Sequence, residues 1–153
     1  MALMSAPQFT VSVVTQYLPE QSSAADNVYG FAYTITIRNT GPVTGQLVAR
    51  HWVITDSAGH TEEVRGLAVV GHQPVLKPGE QFEYTSWTRL ATPRGQMHGT
   101  FFCISDDARW FDTPVPAFEL SQSQTKVFGE KLSAYLPAIF GIILILVMVV
   151  LPE

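Results

Sequence analysis

The sequence predicts an all-β fold: an antiparallel β-sandwich followed by one C-terminal transmembrane α-helix. Three observations predict it. Short runs of β-branched and aromatic residues recur along residues 8–120, punctuated by Gly, Pro, Asn and Asp. No amphipathic helical pattern separates those runs. Residues 132–151 then form an apolar run without a single charge.

The elements follow in order. Residues 1–7 read as an N-terminal tail with no basic segment and no long apolar core, so they are not a secretory signal. Phe9 to Tyr17 alternates, with Phe9, Val11, Val13 and Tyr17 on one face. Phe31 to Arg38 alternates more cleanly: Phe31, Tyr33, Ile35 and Ile37 face one side, Thr34, Thr36 and Arg38 the other. Asn39-Thr-Gly-Pro42 breaks that strand. Gln46 to Thr55 is β-rich and stops at the turn Asp56-Ser-Ala-Gly59. Glu62 to Val70 reads as a strand, and Lys77-Pro-Gly-Glu80 as a type II turn. Gln81 to Trp87, Met97 to Ile104 and Val115 to Leu120 complete the set.

Residues 121–131 read as a polar linker. As a helix, residues 132–151 span about 30 Å, the thickness of a bilayer's hydrocarbon core. Fourteen of them are Leu, Ile, Val, Phe or Met. At roughly −0.3 to −0.6 kcal/mol each near the bilayer centre, they favour insertion. Pro137 falls near the start, where its missing N–H matters least. Ala138 and Gly141, small residues three apart, would let a neighbouring helix approach. Lys126 and Lys131 precede the run and no Lys or Arg follows it. The positive-inside rule therefore places the N-terminal domain in the cytoplasm and the C-terminus across the membrane.

Composition excludes several classes. The chain has 153 residues, suited to one domain. Only 14% are charged, against about 25% in an ordinary soluble domain, which excludes intrinsic disorder. Cys103 is the one cysteine, so no intrachain disulfide frames the fold. Nine Lys and Arg are outnumbered by thirteen Asp and Glu and do not cluster, which argues against nucleic acid as a partner.

At this point a resemblance becomes specific. Gln16-Tyr17 with Glu20-Gln-Ser22, Phe31 to Asn39, Arg50-His-Trp52, Ile54-Thr-Asp56 and Glu63-Val-Arg-Gly66 carry it. Val69-Val-Gly-His-Gln-Pro74, Lys77-Pro-Gly-Glu80, Tyr84-Thr-Ser86, Ala91-Thr-Pro93 and Met97 with Gly99 extend it. Residues 8–120 resemble the ApaG domain family of bacteria, most closely its proteobacterial members. The resemblance implies an immunoglobulin- or fibronectin-III-like sandwich and, with the apolar run, a bacterial inner membrane as location. It implies no secure activity. The family tends to end soon after its last strand, whereas this chain adds a linker and an apolar run. The family also tends to carry a G-x-G-x-x-G loop. Here it reads Gly66-Leu-Ala-Val-Val-Gly71, with Ala68 at the middle glycine and His72 beyond. In dinucleotide-binding folds that glycine admits phosphate and a helix N-terminus completes the site. No helix follows here, and the plainer reading is a strand end before a turn.

Other candidates are weaker. His51, His60, His72 and His98 lack the close spacing of metal ligands. Cys103 lies in an apolar strand and reads as core. Asp106-Asp107 reads as solvated loop charge, and no Ser-His-Asp or paired-carboxylate arrangement emerges from spacing. No catalytic, metal or cofactor site is expected, and the chain reads as non-enzymatic.

Trp87 stands out. If its strand stays regular, Gln81, Glu83, Thr85 and Trp87 share the outward face, and a tryptophan there suits an interface anchor. Arg89, Arg94, Trp110 and Phe111 would extend that patch. If the strand stops at Ser86, Trp87 folds back over the core. Two functions follow. One is an interaction module: an accessory subunit on the cytoplasmic face of a larger inner-membrane complex, respiratory or photosynthetic. The other is a membrane-tethered sensor of an anionic metabolite or nucleotide at residues 66–71.

Overall fold

The computed structural model describes residues 6–123 with their side chains, and the backbone of 126–128. Among the described residues nine strands form: β1 Phe9–Ser23, β2 Val28–Asn39, β3 Gly45–Asp56, β4 Thr61–Leu67, β5 Val75–Leu76, β6 Gln81–Leu90, β7 Arg94–Ser105, β8 Trp110–Ser121 and β9 Lys126–Phe128. They make two antiparallel sheets. One runs β6-β2-β1-β9; the other runs β4-β3-β7-β8, with β5 pairing the start of β3.

The alternation of β2 builds the core. Phe31, Ile35 and Ile37 are fully buried, and the register sets Tyr17 against Phe31, Val13 against Ile35 and Tyr84 against Ile35. Trp52 of β3 lies at the centre. Its indole meets Phe101 edge-on at 5.7 Å, Phe118 at 6.1 Å and Tyr33 at 5.7 Å. Such ring pairs add about 0.5–1.5 kcal/mol each beyond area burial. Gly99 makes the contact possible, since a Cβ there would sit 2.7 Å from the indole and 2.3 Å from the His51 carbonyl.

The strands differ from expectation in identifiable ways. β1 runs past Tyr17 to Ser23, through an irregular register beyond Leu18. The expected strand over 62–70 stops at Leu67, because Ala68 and Val70 take φ of 67° and 47°. β8 begins at Trp110, not Val115, and its Pro116 falls where the β7–β8 register shifts between Met97 and Gly99. A bulge tolerates proline because no ladder N–H is required there. β9 forms within the stretch read as a polar linker and pairs with β1, Val13 opposite Phe128 and Thr15 opposite Lys126. Among the described residues no helix is long and apolar enough to cross a membrane. The expected span 132–151, with Ala138 and Gly141, lies outside the described residues.

Register defines two ends of the sandwich. One end gathers Phe9, residues 39–45, 67–81 and 105–110. The other gathers residues 24–27, 57–60, 91–93 and 122–123.

Candidate functional site

β6 stays regular to Leu90, so Trp87 faces outward and does not fold over the core. Ala32 lies directly opposite it in β2, and the small side chain leaves room for the half-buried indole to lie on Ala32 and Leu18. The Arg89 guanidinium sits over the ring at 4.7 Å from its centroid. A cation over an exposed ring contributes about 0.5–1 kcal/mol. The same outer face is finely ordered. Thr34 and Thr85 share a hydroxyl bond of 2.8 Å, and the Thr36 hydroxyl donates to Glu83 at 3.2 Å. The result is a rigid platform that presents an aromatic face and a cation, the composition of a binding anchor.

The rest of the expected patch does not join it. Arg94 and Trp110 belong to the other sheet, at its two opposite ends. Arg94 faces Glu119 at 3.9 Å. Phe111 turns inward instead, edge-on to Phe9 at 5.1 Å. Period-two alternation assigns faces within a strand, not the sheet a strand joins, so the patch shrinks to Trp87 and Arg89.

The loop over 66–71 is closed from within. Arg50 donates to the carbonyls of Leu67 and Ala68 at 2.9 and 3.0 Å. A Cβ at Gly66 would lie 2.9 Å from that guanidinium, so glycine here admits the arginine, not a phosphate. The N–H groups of Ala68, Val69 and His72 bond to the carbonyls of Val48, His72 and Val69. Gly71 takes φ of 77° in the tight turn that follows. Those amides are therefore not free to cradle an anion. His72 packs against Phe82, with ring centroids 5.6 Å apart.

The remaining candidates settle into structural roles. His51 contacts Glu63 at 3.2 Å across β3 and β4. Among the described residues no cluster of His, Cys, Asp or Glu could hold a metal. Cys103 is buried, and burial pushes its thiol up to about 11, which keeps the sulfur protonated and unreactive near neutrality. Arg109, at 2.8 Å, and the Ser105 hydroxyl hold the Asp107 carboxyl below its ordinary range, so Asp106-Asp107 begins a locally fastened turn. Tyr84 is buried with its hydroxyl unpartnered, and burial raises that phenol further above its ordinary value.

One open depression of about 400 Å³ lies between Thr10, Arg38, Asn39, Thr40, Gly41 and Gly79. The Gly41 N–H beside it already bonds to Asn39 and Gln8, leaving Arg38 as its single cation. Sequence reasoning missed a different feature. Leu67, Val70, Val75 and Trp110 are exposed, and all four stand at the end that carries residues 39–45. Three of them fall within nine residues of sequence; Leu67 and Val70 lie in the strand expected over 62–70, and Val75 lies outside every expected strand.

The comparisons with known proteins bear on this arrangement. The family model of the ApaG domain matches residues 19–105. The chain belongs to the ApaG domain family. It is 58% identical over 118 residues to the protein ApaG of Ralstonia nicotianae, spanning 77% of this chain and 95% of that one. Against ApaG of an Acidovorax species it is 53% identical over 127 residues, 83% of this chain and 93% of the relative. Among solved structures, the putative ApaA protein from Bordetella pertussis superposes with a TM-score of 0.75 at 47% identity, covering 77% of this chain and 96% of that one. The aligned region thus covers nearly the whole of each of these relatives and leaves part of this chain unmatched.

Proposed function

We propose that this chain is a non-catalytic, membrane-anchored interaction module. In this reading its sandwich, of immunoglobulin- or fibronectin-III-like type, is held by residues 132–151 on the cytoplasmic face of a bacterial inner membrane. There it serves as an accessory, stabilising subunit of a larger respiratory or photosynthetic complex. The observation that carries the reading is the Trp87–Arg89 platform. It is an aromatic ring and a cation fixed on a strand that pairs along its whole length with β2, half-exposed and outside the main core. Interfaces concentrate their binding energy in Trp and Arg anchors of this kind. The uncharged run supports the anchoring, because its length matches a bilayer core.

Extraction of native membranes in a gentle detergent, then native sizing and mass spectrometry of co-migrating chains, tests the reading. Co-migration with a large complex at constant stoichiometry is expected. Trp87→Ala should weaken that association by about 30-fold, the effect of losing a 2 kcal/mol anchor. Migration as a free species of about 17 kDa plus detergent sinks the subunit reading.

A further inference from the structure

We infer that the sandwich meets the phospholipid bilayer end-on, through the end that carries Leu67, Val70, Val75 and Trp110. This rests on the membrane-anchored reading above and adds an orientation and a contact surface to it. Among the described residues these four are the exposed large hydrophobics, at 72%, 37%, 58% and 70% exposure. Register puts them together at one end. Leu67 pairs with Ala49 near the start of β3, Val75 with Gln46, and Trp110 with Ile104 near the close of β7. The opposite end exposes Ser57, Ala58, Gly59, His60 and Pro93. Scattered exposed apolar residues are ordinary on a soluble domain, but confinement of all four to one end is not scatter.

The direction of the chain supplies the second, independent argument. β9 runs antiparallel to β1, with Lys126 opposite Thr15 and Phe128 opposite Val13. At Phe128 the chain is therefore heading for the end at which β1 begins, the apolar end. Four residue steps separate Phe128 from Leu132, where the apolar run starts, a reach of at most about 14 Å. From Val13 back to Phe9 the sheet edge extends about 14 Å as well. That reach is long enough for the run to begin level with Leu67, Val75 and Trp110, and a bilayer that receives the run there also receives those side chains. An indole at the headgroup level, with aliphatic side chains beside it, matches the chemistry of the membrane interface.

Charge does not drive the contact. Lys77, Arg38, Arg109 and Arg50, whose guanidinium reaches the Leu67 and Ala68 carbonyls, are balanced at this end by Glu80, Asp106, Asp107 and Asp112. The contact is expected with zwitterionic lipid alone.

The test uses the full chain in phosphatidylcholine vesicles that carry a spin-labelled lipid with a shallow quencher. Leu67→Cys, Val75→Cys and Ala58→Cys each receive a fluorescent label; all three positions are exposed, and buried Cys103 stays unlabelled. Circular dichroism matching the parent verifies the fold. Quenching at 67 and 75 is expected to exceed that at 58 by at least threefold. Equal quenching at both ends, with the chain still floating with the vesicles, overturns the orientation and leaves the anchor standing. A chain that does not float overturns both. In native membranes, labels at 67 and 75 shielded from aqueous iodide yet unquenched by lipid would assign this end to a protein neighbour and overturn the lipid contact.

Discussion

At one end of the sandwich Asn39 is 1% exposed, and its amide donates to the carbonyls of Val43 and Leu76 at 2.8 and 2.9 Å while its side-chain oxygen accepts from Gly41. At the other end Asp56 plays the same part on a smaller scale, accepting from the N–H groups of Ala58 and His60 at 2.9 Å. At each end a buried side chain stands in for missing backbone partners. The loops they hold differ. Those near Asn39 expose Leu67, Val70, Val75 and Trp110, and those near Asp56 expose small and polar residues. Exposed apolar surface here is therefore not a symptom of a poorly closed end. The more heavily fastened end is the one that displays it.

Four variants break or sharpen that comparison. Asn39→Ala should cost most, about 3 kcal/mol, since three hydrogen bonds go and buried carbonyls lose a donor; urea unfolding measures it. Asp56→Ala should cost about 2 kcal/mol by the same reasoning for two bonds. If Asp56→Ala proves the costlier, the ranking of the two ends is wrong. Tyr84→Phe probes the core between the ends. It removes a buried hydroxyl that has no partner in the protein, and should stabilise by about 1 kcal/mol, visible as a raised Tm. Leu67→Ser combined with Val75→Ser should shift stability by less than about 0.5 kcal/mol in the absence of membranes, because both side chains are already in water. A loss above 1 kcal/mol would mean that they pack within the fold.

Much of this was legible in the residues. Phe31, Tyr33, Ile35 and Ile37 announce β2 and its buried face, and the motifs from Gln16 to Gly99 announce the ApaG domain. Where the reading fell short, a local preference was overridden. Pro114 and Pro116 disguise the first half of β8; a bulge accommodates Pro116, and Pro114 lies in the regular ladder of an edge strand. Ala68 and Val70 adopt a left-handed backbone that neither residue type favours, so the end of β4 was placed too late. At the candidate site, alternation left two placements of Trp87 open, outward or folded over the core, and the regular pairing of β6 to Leu90 decides for the outward one. Alternation had no means to separate Trp87 from Trp110 and Arg94, because sheet membership depends on long-range pairing. The Asn39 bonds were hidden for the same reason, since Leu76 is far along the chain.

The prolines of β8 have a consequence for crowding. A sandwich of two open sheets presents outer strands, and an outer strand with free N–H and C=O groups is a template for another copy. β8 spends two of its twelve positions on prolines that donate nothing. β4, at the far side of the same sheet, is seven residues long and carries Glu62, Glu63 and Arg65. β6, which edges the other sheet, sets Glu83 and Arg89 beside its backbone. Each of these three margins therefore opposes strand-to-strand pairing with another copy of the chain.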